Sequence, residues 1–347
     1  MAFQIPAVTI EALLKTDHPV VDVRTPAEFA EFHIPGAVNL PIFTNDERAQ
    51  VGTTYTQISK DAAKELGLEL VSDKLPGLFQ NIKELHQESG QDVILHCWRG
   101  GMRSRTIAAL MNSLGLPCRQ LEGGIRSFRK LVMKELGAFA ETAPPFVVLE
   151  GLTGTRKTDI LAQLEQEGYP VVDLEGMAGH RGSAFGAIGL KQNSQKQFES
   201  LLWQRLNELK DAPYLIIEAE SKRIGNVILP DFVLERKQAG SRIHMTYPFQ
   251  KRVKSIYEEY EPEQHEKEFR DAVFRVEKRM GTEIRKDLMK AMEARDYFQV
   301  IAILLENYYD PRYQHSAGQY ETPIIHVNME HFQEGVHEVK LAIESIS

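Results

Sequence analysis

The fold of the first half of the chain is decided by the stretch Val93-Ile94-Leu95-His96-Cys97-Trp98-Arg99-Gly100-Gly101-Met102-Arg103-Ser104. Its apolar start predicts a short buried strand, and the residues that follow it have a helical pattern. Cys97 would then lie in a loop of backbone N–H groups at a helix N-terminus, beside two arginines. Each of these features lowers the pKa of a thiol from its usual value of about 8.5. The stretch predicts Cys97 as the reactive residue with catalytic partners Arg99 and Arg103, and a substrate-binding loop of Trp98, Gly100, Gly101, Met102 and Ser104.

The bulk composition limits the class of protein. A length of 347 residues predicts two domains, and an apolar content of 42% is ordinary for a globular protein. The sequence has no membrane-length apolar run and no signal-peptide pattern. Its only cysteines, Cys97 and Cys118, offer no disulfide framework, so we expect a cytoplasmic protein without a membrane partner. A net charge of −8 argues against general affinity for nucleic acid but leaves room for a local basic surface.

Strands and helices alternate through the first half. Val20–Arg24 is a short β-branched strand, and a helix is predicted to begin after it, with Thr25 as N-cap, Pro26 in the first turn and Glu28 completing a capping box. A turn at 33–37, a second strand at 38–40 and a glycine turn at 121–125 follow. This alternation indicates an α/β unit with a mostly parallel sheet.

Four motifs in this half occur together and in a characteristic order. They are Asp22-Val23-Arg24 with Glu28, His33-Ile34-Pro35-Gly36-Ala37, the Cys97 loop and Leu121-Glu122-Gly123-Gly124. Together they resemble the rhodanese family over about residues 5–135. The resemblance implies that Cys97 carries sulfur as a persulfide and that Asp22 and Arg24 are structural. The same loop also satisfies the His-Cys-x5-Arg signature of cysteine phosphatases, in which a thiolate attacks phosphorus and the arginine clamps the phosphoryl oxygens.

The second half begins with a pattern typical of a phosphate-binding loop. After Pro144-Pro145, an apolar strand at 146–150 leads into Gly151-Leu152-Thr153-Gly154-Thr155-Arg156-Lys157-Thr158 and an amphipathic helix. Backbone N–H groups, the helix dipole and the Lys157 ammonium would bind phosphate, and Thr158 would hold a magnesium ion. We predict phosphate contacts from Gly151, Thr153, Gly154, Thr155, Arg156, Lys157 and Thr158.

Arg156 departs from the P-loop pattern, which has glycine at this position. A left-handed backbone there would strain an arginine by roughly 1 kcal/mol, whereas its guanidinium could add a phosphate contact. We therefore expect phosphate binding here, and ordinary nucleotide hydrolysis is in doubt.

Two further segments would complete this phosphate site. The strand Tyr214–Ile217 ends in Glu218, which would bind magnesium through water, orient a nucleophile or simply face solvent. The glycine-rich segment 173–186 is interpreted as a flexible loop closing over an anionic ligand, or as a plain surface loop. Its predicted substrate-binding residues are His180, Arg181, Gly182 and Ser183.

The combination of both halves is similar to the tRNA 2-selenouridine synthase family over essentially the whole chain. It carries Leu174-Glu175-Gly176, His180-Arg181-Gly182-Ser183-x-Phe185-Gly186, Glu218-x-Glu220-Ser221 and Tyr308-Tyr309-Asp310-Pro311-x-Tyr313. We therefore expect an α/β protein with a rhodanese-like domain at 1–140 and a P-loop α/β domain with C-terminal helices at 141–347. The resemblance implies that selenium replaces sulfur in wobble 2-thiouridine of tRNA, with selenophosphate and geranyl diphosphate as co-substrates and Mg²⁺ as cofactor. Selenophosphate synthetase is a candidate partner.

Two other functions stay open at this stage. One is a Cys-x5-Arg phosphatase fused to a kinase-like module, and the other is a nucleotide-gated sulfur-relay module with an idle P-loop. For tRNA contacts, the segment 265–295 is predicted as one long helix with basic residues on its outer faces; because acidic residues are interleaved, these faces could instead be solvated and salt-bridged. Alternative phosphate contacts are Lys251, Arg252 and Lys254, and Arg126, Arg129 and Lys130. A last strand at 323–327 is expected to join the P-loop sheet before a closing helix.

Overall fold

A computed structural model describes residues 5–312 and 324–346 of the chain. The described chain divides into two compact units. The first comprises residues 1–138 and 199–203, and the second comprises residues 139–198 and 204–347. Two expected features, Tyr313 and the first residue of the last strand, Pro323, lie outside the described residues.

The first unit is built on a five-stranded parallel sheet in the order β1-β5-β4-β2-β3. Its strands are β1 Ala7–Val8, β2 Val20–Asp22, β3 Val38–Asn39, β4 Val93–His96 and β5 Cys118–Leu121. Strand β4 lies in the middle, and all four of its residues are buried because it has neighbours on both sides. The predicted parallel sheet is confirmed, and β4 directs the chain into the Cys97 loop.

Seven helices belong to this part of the chain. They are α1 Ile10–Leu13, α2 Pro26–Glu31, α3 Asn45–Gln57, α4 Lys60–Ser72, α5 Leu75–Ser89, α6 Met102–Ser113 and α7 Ile125–Thr142. The predicted start of α2 is confirmed: the Thr25 hydroxyl accepts the Glu28 N–H and the Glu28 carboxylate accepts the Thr25 N–H. This capping box fixes Glu28 on the first turn of α2.

The second unit contains a four-stranded parallel sheet in the order β11-β10-β6-β7. Its strands are β6 Phe146–Gly151, β7 Leu215–Glu218, β10 Ser241–Thr246 and β11 Ile324–Asn328, and the short strands β8 Arg223–Ile224 and β9 Val227–Ile228 pair separately. The expected return of the last strand to this sheet is confirmed for Ile324–Val327. In β6 and β7, Leu149 is in register with Glu218, so the P-loop and the Glu218 carboxylate come from adjacent strand ends.

The helices of the second unit contribute to two apolar clusters: the helices of residues 157–166 and 332–346 pack on this sheet, and those of residues 249–304 form a cluster of their own. The helices of this unit are α8 Lys157–Gln166, α9 Leu174–Ala178, α10 Gln195–Glu208, α11 Asp231–Ala239, α12 Phe249–Tyr260, α13 Glu266–Glu277, α14 Thr282–Glu293, α15 Tyr297–Leu304 and α16 Phe332–Ile346. A π-helical segment, Leu305–Tyr309, continues α15. No helix in the described ranges is both long and apolar enough to cross a membrane.

The prediction of one long helix over residues 265–295 is wrong. The segment forms two helices, α13 and α14, separated at Lys278–Gly281. Gly281 has extended backbone angles (φ −63°, ψ 155°) and serves as the N-cap of α14, so the helix cannot run through it. The apolar residues of both helices, such as Phe269 and Leu288, still face a shared core.

Candidate functional site

The Cys97 loop connects the central strand β4 to helix α6, as expected. The Cys97 side chain lies at the base of the loop and is 3% exposed, whereas Trp98 at the rim is 38% exposed. Burial works against ionisation of the thiol, but hydrogen bonds from Ser104 and the Gly101 N–H, together with the Arg103 charge, hold the pKa of Cys97 below its usual value. The loop is thus suited to a thiolate and to oxyanions that use the same donors.

Ser104 donates to Cys97, and the direction of this hydrogen bond follows from its neighbours. The Gln120 amide nitrogen lies 2.9 Å from the Gly100 carbonyl oxygen and 3.2 Å from that of Gly101, and carbonyl oxygens can only accept. The same nitrogen lies 2.9 Å from Ser104 Oγ, so Ser104 accepts from Gln120. Its own proton is therefore available to Cys97 Sγ, 3.2 Å away.

The two arginines predicted as catalytic partners have different surroundings. Arg103 forms a two-point ion pair with Glu28, at 2.8 and 3.3 Å. Its charge still lowers the pKa of Cys97, but its guanidinium is held by a carboxylate. Arg99 is exposed at the rim of the loop, beside Trp98.

The Gly124 motif shapes the Cys97 loop from outside. A Cβ atom at Gly124 would lie 2.3 Å from the Cys97 carbonyl oxygen and 2.5 Å from the Gly100 nitrogen, and its φ of 59° favours glycine. The Ile125 N–H also donates to the Cys97 carbonyl oxygen at 2.9 Å. Residues 121–125 therefore hold the outer wall of the loop.

Asp22 and Arg24 form the structural pair that the sequence predicts. The Arg24 guanidinium donates to both Asp22 oxygens and to the Phe32 carbonyl, and both side chains are buried. The pair fixes the chain between β2 and α2, from which Glu28 reaches Arg103.

The P-loop runs from the end of β6 into α8. Arg156 has a left-handed backbone (φ 61°, ψ 29°) at the N-cap of α8, the conformation that would strain an arginine at this position. Its guanidinium is 2.7 Å from Asp159 and lies over the Phe332 ring, 4.5 Å from the centroid. These contacts tie the guanidinium to the start of α8 and to Phe332, while Arg156 still lines the pocket beside the loop.

Lys157 lies at the centre of a polar pocket on the inner side of the P-loop. Its ammonium donates to the Gly151 and Leu152 carbonyl oxygens at 2.9 and 3.3 Å. The pocket also contains P-loop residues, residues of the 173–186 segment and carboxylates; its lining includes Thr153, Gly154, Arg156, Thr158, Glu175, Arg181, Ser183, Glu218, Glu220 and Glu259. Burial lowers the pKa of Lys157, and the charges of Glu175, Glu220 and Glu218 oppose that shift.

The carboxylates around Lys157 are crowded enough to perturb one another. Burial, followed by the charge of Glu220, raises the pKa of Glu175 to about 8. Burial and the charges of Asp173 and Glu175 raise the pKa of Glu218 well above its usual range. Glu218 is 3% exposed, and its Oε1 accepts the Glu175 N–H at 2.8 Å. The predicted alternative that Glu218 simply faces solvent is therefore wrong.

The oxygen atoms at this end of the pocket suit a hard cation. Glu218 Oε2 is buried and has no hydrogen-bond partner among the described residues, and Thr158 Oγ1 lies 3.2 Å from Glu175 Oε2. Carboxylate and hydroxyl oxygens are ligands that Mg²⁺ accepts, usually together with water and phosphate. Within residues 5–312 and 324–346, no group of three or more His, Cys, Asp or Glu side chains could hold a metal. A cation at this position would therefore also need oxygen atoms from a bound phosphate or from water.

The segment 173–186 is more ordered than a simple loop. Asp173 caps helix α9 by accepting the Gly176 N–H at 2.8 Å, and Gly179 ends the helix in a left-handed conformation. Phe185 is buried in the helical core at 4% exposure. The interpretation of the whole segment as a loop is thus wrong, because a capped helix and an apolar anchor are built into it.

Three of the four residues predicted to bind substrate in this segment lie close to the pocket. Arg181 and Ser183 line it, and a Cβ atom at Gly182 would lie 2.4 Å from Glu220 Oε2. Arg181 is 2.9 Å from Glu259 and lies over the Tyr260 ring. His180 instead packs against Gly225, and burial lowers the pKa of its imidazole. This placement indicates that His180 supports the segment rather than contacts a substrate.

Part of the proposed basic tRNA surface is occupied by ion pairs. Arg252 is 4% exposed and binds Asp310 at 2.6 and 3.0 Å, so its prediction as a tRNA phosphate contact is wrong. It also donates to the Thr153 carbonyl oxygen at 2.8 Å and thereby supports the P-loop. In helices α13 and α14, Arg285 pairs with Glu277, and Arg295 pairs with Glu266. This favours the salt-bridged interpretation of that face.

Sequence reasoning missed Glu259, which enters the pocket from α12, and the positioning role of Gln120. Neither lies in a recognisable motif. Glu259 is one of several acidic residues in Glu258–Glu263, and Gln120 is a polar residue in a strand. Only the three-dimensional arrangement singles them out.

The two sites and their folds define a class: a rhodanese-like domain with a loop cysteine, followed by a P-loop α/β domain. The family model of the rhodanese-like domain matches residues 7–131, and that of the tRNA 2-selenouridine synthase AAA domain matches residues 144–340. The second match covers more than half of the chain. The chain belongs to the tRNA 2-selenouridine synthase family.

Curated relatives give the same result. The tRNA 2-selenouridine synthase of Shewanella loihica is 31% identical over 92% of this chain and 92% of its own length. That of Sulfurovum sp. is 32% identical over 90% of this chain and 93% of its own length. The match to the tRNA 2-selenouridine synthase of Nitrosomonas europaea is 37% identical over 72% of this chain, and it spans 66% of that relative. The predicted family and fold class are confirmed.

Proposed function

We propose that this chain is a tRNA-modifying transferase that replaces sulfur by selenium in wobble 2-thiouridine. Selenophosphate would supply selenium, and geranyl diphosphate would first alkylate the sulfur. The relatives named tRNA 2-selenouridine synthase support the overall reaction. The observation that carries the proposal for this chain is the presence of two loops with clustered donors, one around the Cys97 thiol and one around the Lys157 ammonium, each of which would suit an anion.

The need for alkylation follows from leaving-group chemistry. In the first step, the thiouridine sulfur would attack C1 of geranyl diphosphate, the C1–O bond would break and diphosphate would leave, with loss of the N3 proton of the base. In the second step, a selenium nucleophile would attack C2 of the base and the C2–S bond would break, releasing geranyl thiolate. Sulfur leaves far more readily as this thiolate than from a thiocarbonyl.

The P-loop pocket would bind geranyl diphosphate and stabilise its leaving group. Lys157, the loop N–H groups and Arg181 would neutralise the charge that develops on diphosphate. Thr158, Glu175 and Glu218 are the residues that would hold Mg²⁺, which would supply further positive charge to the diphosphate oxygens. No nucleotide hydrolysis is required, which agrees with a loop that has arginine at position 156.

The Cys97 loop would handle selenophosphate or the selenium derived from it. Its N–H groups and the Ser104 hydroxyl would hold the tetrahedral anion, whose selenium is already at the selenide level and would be the nucleophile at C2 of the base. Water would then attack phosphorus, the P–Se bond would break and phosphate would leave, with the Cys97 thiolate accepting the proton of that water. Selenophosphate synthetase is a proposed partner because it would supply this donor. The phosphatase alternative is less favoured, because Arg103 is paired with Glu28 and would have to leave it to clamp a phosphoryl group.

Nucleoside mass spectrometry on 2-thiouridine tRNA would test the proposal, with Mg²⁺, geranyl diphosphate and selenophosphate present. We expect 2-selenouridine with the wild-type chain, accumulated S-geranyl-2-thiouridine with Cys97→Ala, and unchanged 2-thiouridine with Lys157→Ala. Cys118→Ala and Lys340→Ala are matched controls outside both sites and should give the wild-type product. Unchanged tRNA with the wild-type chain would contradict the proposal, and phosphate release from p-nitrophenyl phosphate would then favour the phosphatase.

A further inference from the structure

The mouth of the Cys97 loop carries large exposed side chains that a small anion does not need. Trp98 is 38% exposed and Met102 is 62% exposed, whereas Cys97 at the base of the loop is 3% exposed. Arg99, next to Trp98, is exposed as well. A tetrahedral anion held by N–H groups and a hydroxyl gains nothing from an indole ring. We call Trp98, Arg99 and Met102 the loop rim.

The backbone of the loop rim is held in place by the start of helix α7. The Cys97 carbonyl oxygen accepts the Ile125 N–H at 2.9 Å, and the Trp98 carbonyl oxygen accepts the Arg126 N–H at 3.4 Å. The indole ring therefore projects from a fixed backbone. A tryptophan side chain has only two torsions, so it offers a large contact area at a low cost in conformational entropy.

The charge around the loop rim is positive. The sequence has no Asp or Glu between Asp92 and Glu122, a stretch that includes Arg99 and Arg105. Across the described parts of the chain, the exposed cations Arg99, Arg105 and Arg126 have no ion-pair partner, unlike the paired arginines of α13 and α14. A chain with a net charge of −8 thus keeps unpaired positive charge at the mouth of this loop.

An aromatic face beside unpaired cations is the combination that binds single-stranded RNA. Bases displaced from an RNA loop stack on aromatic side chains, and neighbouring cations bind the phosphates. The proposed second step requires a base at this position, because reacting atoms must approach to about 3–3.5 Å. Selenium held in the loop by Ser104 and the N–H groups can meet C2 of the base only at the mouth. Trp98 follows Cys97 directly in the chain, so its ring is next to that point.

We propose that Trp98 is the stacking platform for the modified wobble base once it has left the stack of the anticodon loop, with Arg99 and Arg126 binding the flanking phosphates. This inference rests on the proposed function and names the side chain that positions the base. Stacking on the indole offsets the cost of removing the base from its neighbours in the RNA. Trp98 is thus a positioning residue and takes no part in bond making.

The fluorescence of the full chain tests this contact directly. The chain has two tryptophans, and Trp203 is 7% exposed with its indole N–H bonded to Glu135. The probes are an anticodon stem-loop RNA with S-geranyl-2-thiouridine at the wobble position and a matched RNA that lacks only that base. We expect the first RNA to quench the wild-type chain and the second to leave its fluorescence unchanged. Trp98→Phe should show no quenching with either RNA.

Affinities separate stacking from phosphate binding. Trp98→Leu should weaken binding of the RNA with the base about 10-fold, and Trp98→Phe should restore most of this loss. Binding of the abasic RNA should change by less than about twofold, because phosphate contacts carry no information about the base. Arg126→Ala should weaken both RNAs alike and reduce the salt dependence of binding.

Phe298→Leu is the matched control. Phe298 is also an exposed aromatic residue, at 47%, but it stacks on Tyr257, whose hydroxyl donates to Glu263. This variant should bind both RNAs like wild type.

Turnover supplies a second test on the same variants. Trp98→Leu should raise the KM for S-geranyl-2-thiouridine tRNA about 10-fold, while the KM for selenophosphate stays within about twofold.

Quenching by the abasic RNA, or an equal loss of affinity for both RNAs in Trp98→Leu, would overturn the platform. A loop rim that docks a protein instead would give this result. If the wild-type chain still converts the S-geranyl tRNA with selenophosphate, the proposed function stands without the platform. If it does not, the proposed function itself is contradicted.

Discussion

The Cys97 loop and the Lys157 pocket share a strand–loop–helix plan but have opposite electrostatics. In the Cys97 loop, the net effect of the surrounding donors and of Arg103 lowers the pKa of an acidic group. In the Lys157 pocket, burial and crowded carboxylates raise the pKa values of Glu175 and Glu218. The Cys97 loop can therefore hold an anion with its own donors. The Lys157 pocket instead favours an anion that binds together with a cation, or one that binds while the pocket carboxyl groups are protonated.

The largest expected effect is a pH dependence of stability that comes from Glu175, one of the carboxylates around Lys157. The pKa of Glu175 is about 8 in the folded chain and lies near 4.5 when unfolded, so the native state binds more protons between these values. Its stability should therefore fall as the pH rises from about 5 to 9. Glu175→Gln should remove the contribution of this carboxyl group and raise the free energy of unfolding at pH 9 by about 2 kcal/mol, with little change at pH 5. A smaller dependence should remain, because the pKa values of Glu218 and Asp173 are also raised.

Thermal unfolding at a series of pH values would measure this difference. Glu344→Gln, at an exposed position of α16, removes one carboxylate outside the pocket and should not change the pH profile. Equal pH profiles for wild type and Glu175→Gln would show that the Glu175 carboxyl group ionises at its usual pH. The electrostatic difference between the Lys157 pocket and the Cys97 loop would then disappear.

A smaller effect is expected at the cysteine. Gln120→Leu removes the amide that fixes the Ser104 hydroxyl, so Ser104 can turn away from Cys97. We expect the pKa of Cys97 to rise by about one unit, equivalent to about 1.4 kcal/mol. The pH dependence of alkylation by iodoacetamide would report it, because Cys118 is buried and its pKa is raised to about 12.

Gln80→Leu provides the control for this measurement, since the Gln80 amide donates to the Glu84 carboxylate on the exposed surface of α5, away from Cys97. A shift in the Cys97 titration for Gln80→Leu as large as that for Gln120→Leu would mean that general destabilisation, rather than the orientation of Ser104, sets the thiol pKa.

The smallest expected effect concerns Arg156, where the P-loop differs from the glycine pattern. Arg156→Gly and Arg156→Ala both remove the contacts with Asp159 and Phe332, but only glycine also relieves the left-handed backbone. The glycine variant should be more stable than the alanine variant by about 1 kcal/mol in urea unfolding. Equal stability of the two variants would show that position 156 carries no backbone strain.

Local sequence signals predicted much of this molecule because they act within a few residues. The Thr25 capping box, the left-handed Arg156 and the strand–loop–helix around Cys97 all depend on neighbours in the chain. The break between α13 and α14 at Gly281 was not predicted, because apolar residues recur at helical spacing on both sides of it. Glu218 was predicted from the end of its strand, whereas Glu259 was missed because it comes from a distant helix and no local pattern distinguishes it from the acidic residues beside it.

The close approach of Gly124 to Cys97 has a consequence for engineering. Residues 121–125 and 96–104 are separate in the sequence but in contact in the fold. The backbone at Gly124 packs so closely against Cys97 and Gly100 that no side chain fits at that position. Residues 96–104 grafted alone onto another parallel sheet would lack this outer wall. A transplantable version of the loop would have to include residues 121–125 and the strand that delivers them.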